Sequence, residues 1–301
     1  MPDTLKHIRR LRERSKWKCY AAQCLGSQIQ GGIVPEGHTL HRLALDLTQA
    51  FGGLVVSVSS PQGRFADSAA LLDQTRMIEA MAHGKHLFCE FDRDRLLHIH
   101  LGLIGSLEFG PPDLPRGEVR VRIATEQVAA DLRGPQLCTV QTPAEVASQL
   151  SELGPDPLRG DADPDLAWRR IHRAARPIAA LLMDQTILSG VGNVYRAEVL
   201  FRNRINPHRP GNKLSRRSWQ GIWADLVELM PQGVVNKRID TVRPEHTPEA
   251  MGRPPRKDDH GGEVYVYRRA GMACLVCGSK VRTEVLAGRN LFWCGRCQRR
   301  G

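Results

Sequence analysis

The stretch Pro35-Glu36-Gly37-His38-Thr39-Leu40 decides how this chain is read. From His38 onward Leu40, Leu43, Ala44, Leu47, Ala50 and Phe51 recur at helical spacing and stop at Gly52-Gly53, so a helix is expected to start at the Pro-Glu pair. Proline at a first helical position and glutamate in a first turn suit any helix start. The pair offers more if the chain begins at Pro35. An internal proline nitrogen is an amide whose lone pair is delocalised, and it cannot attack. A terminal proline is a secondary amine, and α-amino groups titrate near ~8. Such an amine can add to the C1′ aldehyde carbon of a sugar and give an iminium, with Glu36 beside it to move protons.

Residues 1–33 read as translated upstream sequence. They carry seven Lys/Arg against Asp3 and Glu13 and end in the polar, glycine-rich residues 27–32. They have no apolar signal core, and a transit peptide would be richer in serine. Val34 is what a GTG codon spells within a reading frame; used as an initiator, GTG is read as methionine, which is trimmed before proline. The competing expectation is a real basic arm, because charge runs are usually solvated tails.

The length of 301 residues suggests two domains and a small module. Of the net charge of +11, residues 1–33 contribute 7 − 2 = +5. Residues 265–301 hold eight Lys/Arg against Glu284 alone, a local +7. A positive cluster of this kind favours a polyanion, with nucleic acid the leading candidate, although charge alone fits a solvated tail equally. No apolar run is long enough to span a bilayer, so no membrane partner is expected.

Beyond the helix, runs of β-like composition cover 54–58, 77–82, 86–91, 96–100, 119–124 and 128–132, separated by turn residues. Their spacing predicts an antiparallel sandwich or barrel. Around Pro143 the texture turns helical, with candidates at 144–153, 165–174, 178–183, 193–202 and 215–230. Residues 243–262, rich in Pro, His, Asp and Gly, read as a long loop.

Eight cysteines divide unevenly. Cys19 and Cys24 lie upstream, while Cys89 and Cys138 stand singly in apolar surroundings and read as buried thiols. Cys274-x2-Cys277 and Cys294-x2-Cys297 form two knuckles able to give four thiolates to one tetrahedral zinc. In the reducing compartment expected of a chain with no export signal, metal is favoured over disulfide. The zinc would be structural, since four cysteines leave no position for water. A strand pair at 280–286 and 290–293 would put Arg289 near a hairpin tip.

Four features in series resemble one family: Pro35-Glu36-Gly37, the Gly84-Lys85-His86 turn, Ser189-Gly190-Val191-Gly192-Asn193 before a helix, and the four-cysteine hairpin with Arg289. It is the formamidopyrimidine-DNA glycosylase and endonuclease VIII family, and Met183-Asp184-Gln185 with the terminal module makes the chain more similar to the endonuclease VIII branch. The resemblance runs from Pro35 to the C-terminus. It implies an α+β multidomain fold: an N-terminal antiparallel β-sandwich with a leading helix (35–145), a helix-two-turns-helix domain with a linker loop (146–262) and a zinc-finger β-hairpin (263–301). Residues 1–34 would be a mis-called start or a tail.

It also implies a monomeric bifunctional DNA glycosylase and AP lyase acting on damaged DNA, duplex or single-stranded, in the bacterial cytoplasm. Pro35 becomes the Schiff-base nucleophile and Glu36 its proton carrier. Lys85 assists phosphate binding and β-elimination; alone it would read as a solvated turn residue. Arg289 grips the lesion phosphate and serves δ-elimination; alone it would read as a solvent-facing loop cation. Asn193 and the amides from Gly192 onward contact phosphate, although asparagine there also suits an ordinary N-cap. Residues 100–105 stand where the family carries its intercalating loop, making Leu103 and Ile104 wedge candidates against an equal expectation of core packing. Arg133 would reach the orphaned base. Pro135 replaces the aromatic of the formamidopyrimidine branch, which weakens oxidised-purine repair and leaves oxidised pyrimidines as the substrate expectation; Thr39 replaces a usual acid and His38 a usual proline, departures that bear on fine substrate preference and glycosylase strength. The alternative is a non-catalytic zinc protein binding damaged or branched DNA, preferred if residues 1–34 are retained.

Overall fold

A computed structural model describes residues 35–257 and 262–299. The expectations for residues 1–34 lie outside the described residues. The described residues divide into two compact units that part after Glu152.

The first unit runs α1 (Gly37–Phe51), β1 (Val55–Ser59), α2 (Ala66–Leu72), β2 (Thr75–His83), β3 (His86–Phe91), β4 (Arg95–His100), β5 (Ser106–Gly110), β6 (Val121–Ala124), β7 (Ala129–Arg133), β8 (Leu137–Gln141) and α3 (Pro143–Glu152). Its strands are antiparallel, in the order β5-β7-β6-β1-β2-β3-β4-β8. β1 is the seam: Val55 and Val56 pair with β2, whereas Ser57, Val58 and Ser59 pair with β6. Inward residues of both halves, among them Val56, Val58, Leu87, Leu97, Ile123 and Leu132, share one core with Leu40, Leu43, Leu47 and Phe51 of α1. This is the expected sandwich, with alternate burial along β1 marking its covered face. On the other face of β3 and β4, Phe88 and Leu96 pack under Val146 and Leu150 of α3.

Three features differ from expectation. α1 begins at Gly37 and Glu36 is its N-cap in extended backbone (φ −114°, ψ 178°), so neither Pro35 nor Glu36 occupies the first turn. β5 and β8 lie outside the expected strand runs. β5 is five residues punctuated by Gly105 and Gly110, and β8 is an edge strand, half-buried along most of its length, that among the described residues pairs with β4 alone. α2 is a further short helix whose Ala69 and Leu72 complete the core.

The second unit contains α4 (Pro164–His172), α5 (Ile178–Leu181), α6 (Asn193–Arg202), α7 (Arg216–Asn236), α8 (Pro248–Met251) and a hairpin of β9 (Val281–Leu286) and β10 (Arg289–Cys294). Caps fix the starts of α4 and α7: the Asp163 carboxylate accepts from the Asp165 N–H (2.8 Å) and the Ser215 hydroxyl from the Ser218 N–H (3.1 Å). α7 outruns its expected end at Met230, passing through Pro231 because Met230, Gly233 and Val234 are buried, and stops at Lys237 in left-handed backbone (φ 58°). α6 is the centre of the unit, with residues 194–201 all buried. Its Glu198 carboxylate accepts from the N–H groups of Tyr265 (2.7 Å), Val266 (2.9 Å) and Tyr267 (2.8 Å) and from the Thr241 hydroxyl (2.6 Å). Four donors compensate a fully buried charge and tie the chain on both sides of residues 243–262 to α6. Those residues, read as a loop, contain a 3-10 turn (Pro244–His246) and α8. Among the described residues no helix is long and apolar enough to cross a membrane.

Candidate active site and nucleic-acid interface

In the first unit Pro35 and Glu36 are both buried at the mouth of α1, and the Glu36 carbonyl accepts from the Thr39 N–H (2.9 Å). Directly after them burial, and secondarily the charge of His41, pushes His38 down to about 3, so its ring is neutral near pH 7.

Lys85 stands in the two-residue turn between β2 and β3, closed by the pair His83 and His86. Gly84 at φ +58° supplies the left-handed residue that such a turn requires. The lysine is half-buried at the tip. Histidines crowd the same end of the sheet. His86 Nδ1 and His98 Nε2 lie 2.9 Å apart, and the His86 ring is 5.0 Å from that of His100. Burial and then the neighbouring imidazoles push His86 down to about 3 and His98 to about 4.

The His100 Nδ1 accepts from the Gly102 N–H (3.2 Å), which starts the turn at 101–105. Leu101 is buried, but Leu103 is 52% and Ile104 88% exposed. The Gly105 N–H donates to the Leu101 carbonyl (3.1 Å), and a Cβ at Gly105 would meet that oxygen at 2.3 Å. The core-packing expectation therefore fails for both side chains: a closed turn holds them in solvent. Arg133, at the end of β7, is engaged by Glu108 (3.3 Å), Asp131 (3.0 Å) and the Arg116 carbonyl (3.1 Å).

In the second unit Gly192 is the N-cap of α6 and Asn193 its first helical residue, so the ordinary N-cap expectation for Asn193 is overturned. Its Nδ2 donates to the carbonyl of Asn290 (3.0 Å), next to Arg289, and its Oδ1 accepts from Arg196. The buried Arg196 also donates to the Asn290 carbonyl (3.0 Å), joining helix start and hairpin. Arg289 opens β10, paired with Leu286 across the turn Ala287-Gly288. It is exposed at the tip.

The four cysteine sulfurs of 274, 277, 294 and 297 lie within 4.8 Å of one another, with 3.9 Å between Cys274 and Cys297 and 3.5 Å between Cys277 and Cys294. Tetrahedral zinc with bonds of about 2.3 Å needs sulfurs about 3.8 Å apart, so the donors fit one structural zinc. Cys89 and Cys138 stand outside this group, their thiols pushed up to about 12 chiefly by burial; Cys89 is fully buried, Cys138 only partly.

Three family models match parts of the chain in order: the formamidopyrimidine-DNA glycosylase N-terminal domain matches residues 34–139, the formamidopyrimidine-DNA glycosylase H2TH domain 153–243, and the zinc finger found in FPG and IleRS 272–300. Endonuclease 8 1 of Mycobacterium tuberculosis is 50% identical over 271 residues, spanning 88% of this chain and 100% of that protein. The chain belongs to the formamidopyrimidine-DNA glycosylase and endonuclease VIII family. Another member, a formamidopyrimidine-DNA glycosylase of Stenotrophomonas maltophilia, is 34% identical over 236 residues, 77% of this chain and 85% of the relative. The family fold is shared with Lactococcus lactis Fpg bound to DNA containing an abasic site (TM-score 0.72, 20% identity, 88% of this chain and 100% of that one).

Sequence reading missed the histidine row and Arg196. The row had a signal: His98 and His100 alternate on one strand, so both rings must share a face. Arg196 had none, because its partner is a carbonyl 94 residues away.

Proposed function

We propose that this member of a DNA-repair glycosylase family excises oxidised bases, pyrimidines foremost, and then cuts the strand through a Schiff base on Pro35. The observation that carries this is Pro35 immediately before the buried Glu36 at the entrance to α1: a ring nitrogen and a carboxyl group on adjacent residues. The reading requires an active chain that starts at Pro35. It is supported by the N-terminal profile beginning at residue 34 and by a relative matched over its full length by 88% of this chain.

The Pro35 nitrogen donates its lone pair to C1′ of a nucleotide turned out of the stack. The glycosidic bond breaks as Glu36 gives its proton to the leaving base; the C1′–O4′ bond then breaks, the proton lost from the Pro35 nitrogen passes to O4′, and an iminium joins Pro35 to C1′. The iminium withdraws electrons from C2′; loss of that hydrogen breaks the C3′–O bond, and a second elimination breaks the C5′–O bond. Water then hydrolyses the product from Pro35. Lys85 and Arg289 hold phosphate, and Asn193 with the Gly192 end of α6 adds neutral donors. Leu103 and Ile104, exposed on a closed turn, fill the gap left by the extruded base. Arg133 is assigned to the orphaned base, for which it must leave Glu108 or Asp131. Pro135, in place of an aromatic, favours pyrimidine lesions over oxidised purines.

The test is single-turnover excision on duplexes carrying oxidised pyrimidines, oxidised purines or an abasic site, using the chain made from Pro35 beside the 301-residue chain. The expected result is cleavage to phosphate-ended products by the shorter chain, fastest on pyrimidine lesions. DNA binding by both chains with cleavage by neither would replace this reading with a non-catalytic sensor of damaged DNA.

A further inference from the structure

We infer that His86 and His98 are positioning residues for Lys85: their imidazole–imidazole hydrogen bond braces the lysine turn against the packed face under α3. The inference rests on the reading of Lys85 as a phosphate contact, and deepens it.

A two-residue turn fixes its backbone but leaves its tip open to swing, because its outer residues have neighbours on one side only. Here the residue following the lysine is held. His86 Nδ1 meets His98 Nε2 at 2.9 Å, one nitrogen donating and the other accepting. His98 is fully buried and lies against Phe88 with ring centroids 4.5 Å apart and planes 18° from parallel. Phe88 in turn packs against Val146 of α3. The chain of contact runs from the turn through two imidazoles and a phenyl ring to a helix.

The strand register makes this more than proximity. His98 pairs across the strands with Phe88, and His86 lies two residues before Phe88 on the same face, so the bond is a diagonal one that locks β3 to β4 at the end carrying the turn. A solvated loop cation needs no such anchor. A lysine that must meet one phosphate oxygen does, since each degree of freedom removed beforehand is not lost on binding.

The experiment uses the full 301-residue chain and a duplex carrying a tetrahydrofuran abasic analogue, with Kd measured across a salt series. Lys85→Ala should make the slope of log K against log salt shallower by about 0.9, the value of one phosphate contact. His98→Phe keeps the ring stack and removes the nitrogen. It should weaken binding about fivefold, make the slope shallower in the same direction, and add nothing in the Lys85→Ala background. His98→Gln, which retains a polar atom near Nε2, should stay within about twofold of the parent. His86→Phe, at a half-buried position, gives the same loss from the other side and keeps the test valid if His98→Phe folds poorly. A wild-type slope in both phenylalanine variants, or an equal further loss on top of Lys85→Ala, overturns the brace. An unchanged slope in Lys85→Ala itself refutes the phosphate reading of Lys85, a separate failure, and leaves the brace without a function.

Discussion

Replacing Glu198 by glutamine tests how the second unit is held together. Each carboxylate oxygen accepts two hydrogen bonds, Oε1 from the Val266 and Tyr267 N–H groups and Oε2 from Tyr265 N–H and the Thr241 hydroxyl. Glutamine keeps one oxygen and turns an NH2 group towards two donors that it cannot satisfy. Hydrogen bonds to a charged acceptor contribute about 1.5–3 kcal/mol each, and the losses do not simply add, so about 3–4 kcal/mol of local stability should go. At about 1.36 kcal/mol per factor of ten, the amides of residues 265–267 should exchange with deuterium about 100- to 1,000-fold faster, while amides of β3 in the first unit keep their rates. Exchange within threefold of the parent at those three amides would show that the carboxylate does not hold the segment.

Acid should destabilise the first unit before its carboxylates titrate. His38, His86 and His98 have folded-state values of about 3, 3 and 4, below the ordinary 6.5, so the unfolded chain binds more protons across that interval. Stability from these groups is present in full above about pH 6.5 and is lost as pH falls towards 4, by at most about 1.4 kcal/mol per pH unit for each. Urea midpoints from pH 7 to pH 4 that stay flat would contradict this. Cys277→Ser should lower bound zinc from one ion to none by mass spectrometry under native conditions and abolish exchange protection in β9 and β10; protection surviving zinc loss would refute a metal-dependent fold there. Leu103→Ala, at an exposed site, should leave the melting temperature unchanged and slow excision from duplex about tenfold while sparing single strands; equal slowing on both would refute the wedge.

Much of this was legible because the informative residues act locally. The α6 boundaries follow from Gly192 and the apolar spacing after Asn193, and the zinc hairpin from two Cys-x2-Cys knuckles around a Gly turn. The central strands stood out as apolar runs between turn residues. β5 and β8 did not, since an edge or half-buried strand lacks the hydrophobic alternation that betrays a covered one. The exposure of Leu103 and Ile104 was open for a similar reason. Leucine and isoleucine are mostly buried, and only the closure of Gly105 onto Leu101 turns them outward. Contacts that span the sequence, such as Arg196 with Asn290 or Glu198 with residues 265–267, involve backbone groups that every residue carries, and nothing in a string of letters marks them.

A single covalent bond carries the catalytic account. The chain made from Pro35 is mixed with abasic duplex and sodium borohydride, and the adduct is digested and sequenced by mass spectrometry. A reduced sugar is expected on the Pro35 nitrogen, and none in the 301-residue chain, where that nitrogen is an amide. A sugar found on Lys85 or another lysine, or equal trapping by both chains, would contradict it.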